Sequence, residues 1–274
     1  MKKMKMMNKN TNLEIVSKSD YIICLGSMIS RDNEEVKDLI LEAIAKNEAE
    51  FIYMHPIDDI DLKLFYTQFL KYEVGSEEGV LALLLDFFTK NRSASLEKYL
   101  KDLDHGYISA ESSAGEEEFE EMIKRSLDKK NKTIIIGQDL FTHERVDNLY
   151  SMLKAFEEFT DFNVVILTDD EITSNETLED VEELSSYNGT VIYKYNTDED
   201  DSFVYGSESF ARVAKVQDKD DIFLNYGKES LQKTFVLDKN LQGTIAICGV
   251  SEEDTSFLSL GYRYKQVKIE KVEE

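Results

Sequence analysis

"SDYIICLGSMISRDNEEVKDLI", residues 19–40, sets an apolar run, Tyr21–Leu25, against Gly26, a short polar loop and a helical pattern. Val36, Leu39, Ile40, Ala43 and Ile44 recur at helical spacing and predict a helix over 33–46. A second apolar run, Glu50–Met54, follows and closes at Pro56. The same order returns in "KTIIIGQDLFTHERVDNLYSMLKAFEEFTDFNVVILTDD", residues 132–170, with Gly137 in the place of Gly26. Strand, glycine, loop, helix and strand, written twice, predict an α/β fold: a parallel sheet with two βαβ units covered by helices.

A glycine loop leading into a helix N-terminus is also the arrangement that cradles phosphates, because free N–H groups and the positive helix end face the ligand. Each loop here carries one glycine. A dinucleotide fingerprint needs three, and a phosphate-binding P-loop needs a terminal Gly-Lys-Ser/Thr. The position suits a crevice at strand C-termini, while a lone glycine is explained equally by the turn itself.

Between the two repeats, "GSEEGVLALLLDFFTK" (75–90) predicts a helix with Ser76 as N-cap and Glu77 and Glu78 favouring the helix dipole. Residues 91–131 are charged, partly helical in pattern, with a loop expected around "SAESSAG"; they are the expected mobile connection. After residue 186 the texture changes to short β-branched and aromatic runs, among them "GTVIYKYN", "DIFLNYG" and "GTIAICGV". These suit antiparallel strands or a small barrel. The expected division is a flexible basic tail over 1–12, an α/β domain over 13–186 and a β-rich module over 187–274.

Composition narrows the function. The chain of 274 residues has 32 Lys+Arg against 56 Asp+Glu, a formal net charge of −24, which argues against nucleic acid. Cys24 and Cys248 lie within apolar runs and show no zinc or cluster spacing, so two buried thiols in a reducing compartment are expected. No apolar run is long enough to span a bilayer, and "MKKMKMMNKN" is followed by no signal core, so the expectation is a cytoplasmic chain.

Few residues suggest catalysis. His55, His105 and His143 are far apart in sequence. His55, beside Asp58 and Asp59, has the groups for acid–base work, and an Asx turn after Pro56 explains the trio as well. His105 and His143 read as surface residues. "NTDEDDS" (196–202) lacks the calcium-loop spacing and reads as a solvated loop. No catalytic residue and no metal ligand is assigned. In the β-rich part, Phe203, Tyr205, Tyr262 and Tyr264 stand beside charged groups, a composition favoured at interfaces, though packing of a barrel explains them equally. Lys265, Lys268 and Lys271 form a basic patch unusual in so acidic a chain.

Residues 19–59 resemble the part of molybdopterin oxidoreductases that runs Ala-Asp, apolar strand, Gly-Ser-Asn-Pro, helix, and a strand ending Asp-Pro-Arg. "YEVGSEEGVLALLLDFF" resembles that family's Pro-Gly-Thr-Asp segment. "SFARVAKVQDKDDIFLNYGKESLQKTFVLDKNLQGTIAI" resembles its C-terminal double-psi barrel, with Asp-Gly-Asp and later Pro-Gly-Thr-Val. The departures are His55-Pro56-Ile57 for Asp-Pro-Arg, Gly75-Ser76-Glu77 for Gly-Thr-Asp, and Asp218-Lys219-Asp220 for Asp-Gly-Asp. No cysteine stands at the metal-ligand place.

The resemblance implies a double-psi-barrel-like C-terminal module. If the vestigial pterin site still binds, it implies Gly26, Ser27, His55, Gly75 and Ser76 as its residues. The branch that fits these departures is the large G subunit of respiratory NADH:quinone oxidoreductase (complex I), whose C-terminal half commonly holds no molybdenum and which this sequence resembles. That implies a cofactor-free accessory part of such a complex, with peripheral-arm subunits as partners and peripheral association with the inner membrane. The alternatives are a molybdopterin guanine dinucleotide-binding oxidoreductase fragment and a free-standing acidic protein-interaction module.

Overall fold

The computed structural model describes residues 13–168, 177–199, 202–251 and 253–272, so the basic stretch 1–12 and Asp200 and Asp201 of the acidic loop lie outside the described residues. The chain divides into two compact units, one of Met1–Pro56 and Asp61–Ser186, the other of Ile57–Ile60 and Tyr187–Glu274.

The first unit is built on a five-stranded sheet in the order β3-β2-β1-β4-β5. Its strands are β1 (Tyr21–Leu25), β2 (Glu50–Met54), β3 (Gln68–Leu70), β4 (Lys132–Ile136) and β5 (Phe162–Ile166), and every neighbouring pair is parallel. The helices are α1 (Ile29–Asp32), α2 (Glu34–Asn47), α3 (Glu77–Phe88), α4 (Ala94–Asp102), α5 (His105–Ser112), α6 (Glu116–Ser126), α7 (Gln138–Phe141) and α8 (Val146–Phe159). Every residue of β1 is buried, as a central strand between two helical layers requires. Its side chains alternate between the layers. Tyr21, Ile23 and Leu25 join a core with Val80, Leu84, Leu149 and Phe156, while Ile22 and Cys24 join another with Val36, Ile40 and Ala43.

Local chemistry sets the element ends. Asn33 caps α2: its Oδ1 accepts from the Val36 N–H at 3.0 Å. Ser76 stands at the N-cap of α3 but makes no capping bond; its Oγ donates to the Glu73 carbonyl at 2.6 Å. Glu77 and Glu78 are buried, because α3 is enclosed on nearly all sides. The expected mobile connection over 91–131 is instead three packed helices, α4 to α6. Leu96, Tyr99, Leu100, Ile108, Phe119 and Met122 enter the core, and the "SAESSAG" loop shrinks to residues 113–115 between α5 and α6.

The second unit holds a seven-stranded mixed sheet in the order β11-β6-β10-β7-β9-β8-β12. Its strands are β6 (Val191–Asn196), β7 (Phe203–Gly206), β8 (Asp221–Tyr226), β9 (Glu229–Leu237), β10 (Ile245–Val250), β11 (Tyr264–Gln266) and β12 (Lys268–Lys271), with helix α9 (Glu208–Ala214) after β7. The expectation of antiparallel strands alone is corrected here: β10 runs parallel to β6, and β7 parallel to β9. A parallel pair needs a long return path, which the α9 crossover and the chain between β9 and β10 supply. The two edge strands, β11 and β12, are separated only by Val267, so the sheet is nearly closed. Ile192, Val204, Phe210, Leu224, Phe235 and Cys248 fill its core.

Candidate functional site

Gly26 and Gly137 follow β1 and β4 at the same end of the parallel sheet, since Leu25 pairs with Ile136. The loops do not stand open. The Gly137 N–H donates to the Leu25 carbonyl at 2.8 Å, and the Asp139 N–H donates to the Gly26 carbonyl at 3.1 Å. A Cβ on Gly26 would lie 2.3 Å from Leu140 Cδ1. Gly26 also takes φ +71°, so it needs glycine for its backbone and for the lack of space.

Carboxylates occupy the polar end of this region. Asp32 Oδ2 accepts from the Met28 N–H at 2.9 Å and from Ser27 Oγ at 2.8 Å. An acid thus holds groups that would face a phosphate. Asp139, in α7, is fully buried and accepts from His55 Nε2 at 3.1 Å. His55, also fully buried, stacks on Tyr53 with ring centroids 5.7 Å apart. A buried, oriented His–Asp pair is a usable proton-transfer unit in general, but here neither side chain meets solvent.

A second cluster joins α3 to the start of α8. The His143 Nδ1 accepts from the Arg145 N–H at 3.0 Å, which leaves Nε2 as the protonated nitrogen, 3.4 Å from the Gly75 carbonyl. Glu77 Oε2 lies 3.8 Å from the same Nε2. His143 is therefore an interior residue, not the surface one expected, and burial pushes its pKa down. Glu78 accepts from Asn148 Nδ2 at 2.6 Å and from Arg145 Nε at 3.2 Å. Burial nevertheless raises its pKa, against the lowering effect of both partners. Arg145 also reaches Glu179 at 3.1 Å and Glu182 at 2.8 Å, tying that segment to the sheet end.

Of the residues expected at a pterin site, Gly26, Ser27, His55 and Gly75 all belong to this strand-end region, and Ser76 opens α3 beside them. Their partners Asp139, Glu77, Glu78, Arg145 and Asn148 were not legible as site residues. Asp32, Asp139 and the closed glycine loops do not fit a dinucleotide's phosphates. Among the described residues, no group of three His, Cys, Asp or Glu is placed to hold a metal ion.

In the second unit the expected basic patch is dispersed by its own neighbours. Lys268 pairs with Glu270 and Lys271 with Asp220, each at 2.6 Å, while Lys265 is buried with its ammonium 5.5 Å from the Tyr226 ring centroid. Tyr264 is buried against Tyr193, whereas Phe203 and Tyr205 are half-buried.

No helix among the described residues is long and apolar enough to cross a membrane. The chain matches no protein-family model and no curated protein.

Proposed function

We propose that the chain is a cofactor-free accessory part of a respiratory NADH:quinone oxidoreductase-type complex, resembling the C-terminal half of its large G subunit. The observation that carries this reading is the mutual closure of the Gly26 and Gly137 loops: a Cβ on Gly137 would lie 2.0 Å from the Gly26 carbonyl oxygen. A sheet end sealed in this way serves as a scaffold and leaves the electron-carrying groups to other segments or subunits. Peripheral association with the inner membrane follows through those partners.

Backbone geometry supports the parentage. The resemblance has glycine at Gly26, Gly75, Lys219 and Gly243, and all four have positive φ, Lys219 at +70°. Lys219 keeps a left-handed turn that glycine would adopt without strain, so the turn is retained where the resemblance has a glycine. On this reading the two β-α-β stretches are one repeated unit and the seven-stranded sheet derives from a double-psi barrel.

The test is affinity capture of the native chain from its source cell, with identification of bound subunits and metal analysis of the isolated chain. Peripheral-arm subunits of such a complex are expected, with no stoichiometric molybdenum or tungsten. Purification without a partner at physiological salt overturns the assembly, and stoichiometric molybdenum or tungsten overturns the cofactor-free part.

A further inference from the structure

The second unit contains a cleft of about 350 Å³ lined by Tyr187, Tyr226, Tyr262, Tyr264, Lys265 and Gln266. Its size lies at the lower end of small-molecule sites. Four of the six lining residues are tyrosines, which offer flat apolar faces and polar tips together. The rings are already organised by one another: Tyr187 and Tyr262 centroids are 6.0 Å apart, and Tyr262 and Tyr264 5.3 Å. Such a wall loses little side-chain freedom when a planar ligand stacks on it.

The charge in the cleft is the second, independent observation. Lys265 is only 9% exposed, yet it makes no ion pair among the described residues. This is notable in a chain with 56 Asp+Glu and a net charge of −24, where an acid is available almost everywhere. A buried cation facing only a tyrosine ring is costly unless an anion arrives to compensate it. Two further cations lie close behind. Lys194 donates to the Ser259 carbonyl at 2.5 Å, and the Arg263 guanidinium carbon stands 4.6 Å from the Tyr193 ring centroid. Burial, with Arg263 and Lys265 nearby, brings the Lys194 pKa down to about 8, against a smaller raising effect of Asp254. Mutual repulsion of that kind is relieved by a bound negative charge.

We infer that this cleft is a binding site for a small aromatic anion, its ring stacked against the half-buried Tyr187 and Tyr262, with the buried Tyr264 as the floor behind them, and its carboxylate or phosphate on the Lys265 ammonium. Ring and charge are both needed, since the tyrosines alone would take any planar molecule and the lysine alone any anion. The inference stands apart from the assembly reading above.

Isothermal titration of the whole purified chain tests it, with phenyl phosphate and benzoate as the two anionic probes. Benzyl alcohol supplies a ring without charge, and inorganic phosphate a charge without a ring. At least one anionic probe should bind saturably at one site, with benzyl alcohol and inorganic phosphate about tenfold weaker or more. Which of phenyl phosphate and benzoate binds tighter assigns the anionic group. Lys265→Met should weaken the better probe by about tenfold or more, while Tyr262→Leu should weaken benzyl alcohol and the anionic probe alike. Circular dichroism melting of each variant checks its fold, and Lys265→Arg, which keeps the charge, should retain most of the affinity if Lys265→Met unfolds. Absence of saturable binding up to about 10 mM of either anion overturns the inference. So does unchanged affinity in a folded Lys265→Met chain, or equal binding of benzyl alcohol.

Discussion

Gly137 and Gly26 touch backbone to backbone: a Cβ on Gly137 would come within 2.0 Å of the Gly26 carbonyl oxygen and 2.3 Å of Ser27 Cβ. Gly137 itself has φ −88°, so its requirement for glycine is purely one of space. Gly137→Ala should therefore cost about 1–3 kcal/mol or more of stability. Gly189, with φ +93° and nothing within 4 Å of a Cβ, is the opposite case. Gly189→Ala should cost only backbone strain, about 1–2 kcal/mol. Urea unfolding of the two variants, with a separate probe for each unit, separates these causes; equal stability of Gly137→Ala and the parent chain would contradict the close packing.

Among the described residues, Arg145 is the one cation bonded to the interior carboxylate of Glu78, which is 2% exposed. Arg145→Met leaves that acid buried with only neutral donors, the Asn148 amide and the Glu182 backbone, and a loss of about 3 kcal/mol is expected. Glu78→Gln keeps the shape and the hydrogen bonds without the charge and should cost distinctly less. A chemical-denaturation comparison of the single and double variants gives the coupling, which should be about 1–2 kcal/mol.

The protonation of His143 sets a pH dependence. Burial lowers its folded-state pKa below the ordinary 6.5, so the unfolded chain takes up a proton at a higher pH than the native one. The stability from a neutral His143 is complete above about pH 6.5 and drains away as pH falls from there through the lowered folded value. His143→Gln should flatten the decline between pH 7.5 and pH 5.5, measured as the difference between the two chains in urea midpoints. Parallel curves across that window would exclude the effect.

At Lys219 the exposed side chain sits on a left-handed backbone, with the N–H donating to the Phe235 carbonyl at 2.8 Å. Lys219→Gly removes the steric penalty of that conformation and gives back some of it as unfolded-chain entropy. The net expectation is stabilisation of about 0.5–1 kcal/mol, read as a higher melting temperature of the second unit. A lower melting temperature would mean that the lysine side chain contributes more than its backbone costs.

The central strands of the parallel sheet were readable because Tyr21–Leu25 and Ile134–Ile136 are apolar runs, and Gly26 and Gly137 mark their ends. β3 was missed: Gln68–Leu70 is a short edge strand whose only call to order is the neighbouring β2. Helices α4 to α6 were harder to read because charged and polar residues outnumber the apolar ones, while the few residues that matter, such as Leu96, Leu100, Phe119 and Met122, are those on the packed face. The site was harder still. Nothing in the local sequence says that Glu77, Glu78, Asp139 and His143 turn inward, since burial of a charged group depends on partners distant in the chain. The same holds for Lys265, which reads as part of a surface patch with Lys268 and Lys271 until β11 and β12 assign it to one environment and them to another. Removing residues 261–274, which carry Tyr262, Tyr264 and the three lysines, would delete both edge strands of the second sheet.

Those edge strands also set a schedule. β11 pairs with β6, the earliest strand of its sheet in the chain, and β12 pairs with β8. As the nascent chain leaves the ribosome, β6 to β10 emerge first and must wait with two unpaired borders, the kind of strand edge that recruits other chains. Only the arrival of residues 264–271 seals both borders at once. Synthesis of that short segment therefore converts an adhesive intermediate into a nearly closed module, and a translational pause just before Tyr264 would prolong the period in which chaperones are needed.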